Sequence, residues 1–188
     1  MLKMSAGVVN PSESNPKYAF RDYFDFFQLP RQFTIDRQTL DQSYLKIQQE
    51  VHPDRHAQAS DAQKRRSLQM ATYANTAYQT LKQPVKRGLY LCELMGLDAQ
   101  LETNTSMPRA FLMQQMEWRE ALDDAREDFD ALEQLQDEVK TALKQVISTI
   151  ATQIDEKMDY VAALENLRAC LFLERFLEEM DHRITVLL

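Results

Sequence analysis

Three glycines in 188 residues leave this chain few positions at which the backbone can easily leave a helix. Leu, Ala, Gln, Glu and Lys are abundant, and all five favour helical geometry. The expected fold class is therefore all-α. At this length the helices should form one or two compact units.

The spacing of apolar residues fills in the organisation. Residues 1–20, with their Asn-Pro-Ser-Glu-Ser-Asn-Pro stretch, read as a flexible tail. They lack the apolar core of a secretory signal and are poor in arginine, so the cytoplasm is the expected compartment. No apolar run approaches the roughly 20 residues of a membrane span, so no membrane role is expected. Asp22 to Leu29 is an aromatic segment sufficient for two helical turns, closed by Pro30. Thr34 or Asp36 can cap the next helix. There Leu40, Tyr44, Ile47 and Val51 share one narrow stripe, which halts at His52 because Pro53 disfavours helix in the residue before it.

Helix is expected to resume near Asp61, with Ala71, Ala74, Tyr78 and Leu81 as its apolar face, and to end at Gln83-Pro84. A short connection makes these two helices an antiparallel hairpin with residues 52–54 projecting at its tip. A further short helix over residues 86–97 ends at Gly96, and 98–108 reads as a linker. Beyond the linker, apolar periodicity predicts three helices, near 108–126, 130–158 and 160–186. On the middle one Leu132, Leu135, Val139, Ala142, Leu143, Val146 and Ile150 share a side. Short connections make these an antiparallel three-helix bundle. The expected units are thus 21–97 and 109–188.

Charge divides the same way. Residues 17–90 carry 12 basic and 7 acidic side chains, and residues 109–188 carry 9 and 18. The first half should prefer acidic partners, and the second should repel nucleic acid. Cys92 and Cys170 form no CxxC pattern and read as buried thiols in a reducing compartment.

Two constellations stand out. The first is His52-Pro53-Asp54, followed by Asn75-Thr76-Ala77-Tyr78-Gln79-Thr80-Leu81. His52 and His56 are four residues apart, but Pro53 and the lack of a nearby third ligand argue against a metal, and none is expected. The order and spacing of the aromatic Asp22–Phe27 segment, the Leu40/Tyr44/Ile47 helix, the tripeptide and the Asn75–Arg87 run resemble a J domain. That family of co-chaperones activates DnaK-type ATPases. The resemblance implies that His52, Pro53 and Asp54 contact the ATPase and stimulate it, with Lys46 and Arg55 supplying nearby positive charge. One departure is visible: the helix before the tripeptide carries Asp41, Gln48, Gln49 and Glu50, where the family has a strongly basic surface. Lys64-Arg65-Arg66 could supply further positive charge.

The second constellation lies on the first helix of the bundle. Stepping about 100° per residue from Phe111 puts Trp118, Leu122 and Ala125 within roughly 40° of it, an adequate core face. Leu112, Met113 and Met116 fall on the other side, continued by Glu117, Glu120 and Asp124. Such a second apolar face is either covered by the first unit or exposed, and a methionine-rich patch with an acidic border fits a partner site. A J domain followed by a linker and an acidic bundle opening with Ala110-Phe111-Leu112-Met113-Gln114-Gln115-Met116-Glu117-Trp118-Arg119-Glu120 is similar to the HscB family, J-type co-chaperones of iron–sulfur cluster assembly. The resemblance implies that Leu112, Met113, Met116, Glu117, Arg119, Glu120 and Asp124, with Phe172 from the last helix, bind an IscU-like scaffold protein. On periodicity alone Phe172 serves equally well as core. The implied partner of the J domain is an HscA-like, DnaK-type chaperone, and the chain itself needs no cofactor.

The expected function is a two-site adaptor rather than an enzyme. A J protein with a different client is the alternative. A small hydrolase or metal protein using His52, His56 and His182 would need an activated nucleophile, paired carboxylates or a phosphate loop, and the sequence has no such pattern.

Overall fold

A computed structural model of the protein describes residues 20–51, 60–98, 107, 109–125 and 128–187. Among these the regular structure is entirely helical: α1 (Tyr23–Phe26), α2 (Arg37–Val51), α3 (Asp61–Lys82), α4 (Pro84–Leu94), α5 (Arg109–Ala125), α6 (Phe129–Ala151) and α7 (Tyr160–Leu187). The chain divides into two compact units, residues 1–87 and 88–188. The division falls inside α4, upstream of the polar segment 98–108. Leu91 and Cys92 are buried, and the Cys92 thiol donates to the Tyr160 carbonyl at 3.7 Å, within the second unit.

In the first unit α1 is a single turn, shorter than its aromatic sequence predicts. Its cap is Asp22, whose carboxylate accepts from the Asp25 amide at 2.9 Å and pairs with Arg31. Gln28 then takes a left-handed conformation (φ 56°), which ends the helix before a second turn can form. The turn places Phe24, Phe26 and Phe27 in the core, and Phe26 meets Tyr73 of α3 edge-on at 5.0 Å. Asp36, rather than Thr34, supports the first turn of α2, accepting from the Gln38 amide at 3.0 Å. Ser60 and Gln63 form a reciprocal capping box at the start of α3.

Helices α2 and α3 meet through a polar-aromatic seam. The Tyr44 and Tyr78 rings stack at 4.0 Å. The Tyr44 hydroxyl donates to Asn75 at 2.7 Å, and the Tyr78 hydroxyl donates to Asp41 at 3.0 Å. Of the expected α3 face, Ala74 and Leu81 are buried, whereas Ala71 and Tyr78 lie half-buried. Met70, Tyr73 and Ala77 complete the buried face instead. Helix α1 packs on α3 at this face, with Tyr23 and Phe26 both edge-on to Tyr73. Arg87 closes the unit, donating to the carbonyls of Phe33 (2.6 Å) and Leu81 (2.5 Å) with its guanidinium over the Phe33 ring.

The second unit is the antiparallel three-helix bundle of α5, α6 and α7. Its core joins Trp118, Leu122 and Ala125 of α5 with Leu132, Leu135 and Val139 of α6 and Leu173, Phe176 and Met180 of α7. The Trp118 indole donates to Glu138 at 2.8 Å, so its polar edge is satisfied as its ring is buried. Buried Gln136 donates to Asp181 and accepts from Lys140 at 2.5 Å, which fixes the register of α6 on α7. Helix α6 does not run unbroken to residue 158. A π-helical turn at Thr152–Glu156 keeps Ile154 buried, and Met158 (φ 55°) reverses the chain.

Candidate functional site

His52, Pro53, Asp54 and Arg55 lie outside the described residues. Both ends of their connection are anchored. The last carbonyl of α2, on Val51, accepts from the Ser67 hydroxyl of α3 at 2.8 Å. At the other end the Ser60 cap fixes the first turn of α3. Lys46 stands exposed on α2, one turn before that end.

The geometry of the bundle stripe is explicit. Leu112, Met113 and Met116 are 44%, 55% and 65% exposed, while Trp118, Leu122 and Ala125 on the opposite side of α5 are buried. The core face of α5 is thus occupied by its own bundle, and the second face is left to solvent. Spacing makes the stripe continuous, because residues three and four apart adjoin on a helix surface. Leu112 leads to Met116, Met113 to Glu117, and Met116 to Glu120 and then Asp124. All three carboxylates are exposed.

Arg119 and Phe172 sit differently from the rest. The Arg119 guanidinium pairs with Glu179 of α7 at 2.5 Å and lies over the Phe176 ring at 4.8 Å. Phe172 is half-buried, edge-on to Phe111 at 5.9 Å and stacked with Phe176 at 5.9 Å. These two side chains form the seam between α5 and α7 along one border of the stripe. The seam orients the stripe by tying the helix that carries it to α7. Glu179 and Phe176, its anchors, lack any periodicity signal that would single them out in sequence.

Among the described residues no three His, Cys, Asp or Glu side chains group as a metal site, and no helix is long and apolar enough to cross a membrane. Both thiols are buried. Burial pushes the Cys92 thiol up to about 11, and burial with the nearby Glu174 carboxylate pushes Cys170 up to about 12. Neither is a nucleophile at neutral pH.

The first unit thus presents a helical hairpin, and the second an acidic three-helix bundle with an open apolar stripe on α5. Comparison with known proteins specifies the family. Residues 107–181 match the family model described as the HSCB C-terminal oligomerisation domain. The co-chaperone protein HscB homolog of Bordetella petrii is 45% identical over 159 residues, spanning 85% of this chain and 94% of that protein. The homolog from an Azoarcus species is 43% identical over 169 residues, 89% of this chain and 96% of that protein. Among solved structures, chaperone HscB from Vibrio cholerae superposes with a TM-score of 0.78 at 30% identity, covering 89% of this chain and 99% of that one. The crystal structure of human co-chaperone protein HscB gives a TM-score of 0.81 at 32% identity, covering 86% and 81%. The chain belongs to the HscB co-chaperone family, and it is a co-chaperone rather than an enzyme.

Proposed function

We propose that this protein is a cytoplasmic adaptor of iron–sulfur cluster assembly. Residues 109–188 grip an IscU-like scaffold protein. Residues 21–97 present that cargo to an HscA-like, DnaK-type chaperone and stimulate its ATPase. Leu112, Met113 and Met116 supply apolar contact area, and Glu117, Glu120 and Asp124 select a partner with a basic rim. Arg119 and Phe172 hold the border of the stripe and extend it toward α7. His52, Pro53 and Asp54, with Lys46 and Arg55, make the contact that triggers hydrolysis on the partner. Tethering cargo and trigger in one chain raises the concentration of cargo at the chaperone without any new contact between those two.

The observation that carries this reading is the open stripe on a helix whose core face is already filled. Three adjoining large apolar side chains half or more in water do not serve the bundle's own stability. They support a partner site.

The test is chaperone ATPase turnover with and without this protein and the scaffold. Stimulation is expected with wild type and lost with His52→Gln, while scaffold binding by His52→Gln stays at the wild-type level. Stimulation that persists unchanged in His52→Gln refutes the role of the tripeptide. Failure of the scaffold to bind, with stimulation intact, moves the assignment to a J protein with another client.

A further inference from the structure

The methionines of this chain differ in their access to an oxidant. Met70 and Met180 are core residues, and half-buried Met107 has its sulfur engaged by the Gln115 side-chain amide at 3.3 Å. Met95, Met113, Met116 and Met158 are each more than half exposed. Met95 follows α4, and Met158 lies in the turn before α7, where its sulfur accepts from the Tyr160 hydroxyl at 3.8 Å. Met113 and Met116 alone among these four stand on the α5 stripe, three residues apart and so adjoining on one face.

A thioether in water is open to two-electron oxidants. The sulfur attacks one oxygen of hydrogen peroxide, the O–O bond breaks, and the products are a sulfoxide and water; sulfur loses the two electrons that the peroxide gains. The sulfoxide oxygen is a strong hydrogen-bond acceptor, and an apolar contact leaves it unsatisfied. The next turn of the stripe offers it only Glu117 and Glu120, which when ionised accept and cannot donate. Apolar area alone does not call for sulfur here, because Leu112 serves the same stripe with a side chain inert to peroxide. The thiols do not compete for the oxidant. Cys92 and Cys170 are buried and held protonated, whereas the thiolate is the reactive form.

We propose that Met113 and Met116 are an oxidation site: conversion of both to sulfoxides by hydrogen peroxide releases the cargo protein from the α5 stripe, and enzymatic reduction restores the grip. The inference rests on the function proposed above, which makes the stripe the cargo site. The return step consumes a dithiol, which becomes a disulfide as the sulfoxide oxygen leaves as water. A half-exposed methionine that a partner covers accounts for about fivefold in Kd, so losing two such contacts weakens binding about thirtyfold. The fold survives, because Met70 and Met180 are shielded in the core.

The test treats the purified co-chaperone alone with hydrogen peroxide, removes the peroxide with catalase, and then titrates in the scaffold by calorimetry. Peptide mass mapping is expected to find sulfoxides at Met113 and Met116 while Met70 and Met180 stay thioethers, with circular dichroism unchanged. The Kd should rise about thirtyfold. It should return to its starting value after treatment with methionine sulfoxide reductases A and B and a dithiol, both enzymes being needed because each reduces one epimer. Every variant is compared with itself before and after peroxide. M113L/M116L should show no rise, and M95L/M158L should show the full rise. Sulfoxides at both stripe positions with an unchanged Kd overturn the proposal. A rise of equal size in M113L/M116L also overturns it, because the sensitive group then lies elsewhere. So does survival of Met113 and Met116 as thioethers while Met95 and Met158 are oxidised. In each of these cases untreated wild type still binds the scaffold and the proposed function stands. Failure of untreated wild type to bind removes that function and the oxidation site with it.

Discussion

Replacing Leu112, Met113 and Met116 together by serine separates grip from fold, and the structure sets the size of the effect. Complete burial of a leucine or methionine is worth about 1.5–3 kcal/mol. With exposures of 44%, 55% and 65%, roughly half of each side chain remains to be covered by a partner. Each then contributes about 1 kcal/mol to binding, and the three about 3 kcal/mol, which is a little over a hundredfold in Kd. Single truncations of Glu117, Glu120 or Asp124 should each cost less than about 1 kcal/mol, as solvent-exposed rim charges do. The triple variant keeps Trp118, Leu122 and Ala125 in the core, so its far-ultraviolet circular dichroism should match wild type with only a modest loss of thermal stability. Calorimetric titration with the scaffold reads the binding loss directly. Leu122→Ser is the complementary control, because it attacks the core face and should fail in folding before it fails in binding. A folded triple variant with a Kd within about threefold of wild type refutes the reasoning, since about 0.7 kcal/mol cannot accommodate three lost apolar contacts.

Two further outcomes follow from buried polar groups. Arg87→Ala removes two charge-assisted hydrogen bonds to the Phe33 and Leu81 carbonyls and should destabilise the first unit by about 3–5 kcal/mol, read as a lower urea midpoint; an unchanged midpoint contradicts the anchoring role. The thiols give a pH dependence. Unfolded thiols ionise near the ordinary value of 9.0, whereas Cys92 and Cys170 in the fold ionise at about 11 and about 12. Above pH 9 the unfolded chain holds fewer protons than the folded one, so the stability contribution present below that pH declines as pH rises toward 11–12. Cys92→Ala/Cys170→Ala should flatten that alkaline decline in denaturant titrations, and thiol reagents should modify wild type only as fast as it unfolds. An equally steep decline in the double variant assigns it to other groups.

Much of the fold is legible because helices α5 and α6 each bury one regular face. Trp118, Leu122 and Ala125 fall on the side that 100° spacing gives them, and Leu132, Leu135, Val139 and Ile150 are buried as their periodicity predicts. The exposed second face of α5 is legible for the same reason: once the core face is assigned, Leu112, Met113 and Met116 have nowhere to go within their own bundle. What sequence hides is set by tertiary contacts. The burial of Tyr73 involves the Tyr23 and Phe26 rings of α1, a contact that no local spacing reports. The π-helical turn at Thr152–Glu156 and the left-handed Gln28 and Met158 occur at residues without a glycine or proline signal. Arg87 looks like one more surface cation in sequence, yet it bonds the carbonyls of residues 33 and 81. Phe172 is undecidable from periodicity because it does both things: its ring packs against the core while its edge borders the stripe.

The acidic border of the stripe also bears on what the stripe avoids. An open apolar surface of this kind is most at risk from another copy of itself, because each copy offers the same complementary shape. Placing two stripes face to face about a twofold axis that runs along α5 would bring Glu117, Glu120 and Asp124 of one copy against the same three carboxylates of the other. Six like charges in a partly desolvated contact oppose the apolar gain, and the opposition grows as water is excluded. A partner with cations at the matching positions meets attraction where the second copy meets repulsion. On the proposed function, the same carboxylates that contribute little to the strength of cargo binding would contribute most of its selectivity, which is a reason for apolar and acidic residues to share one face of α5.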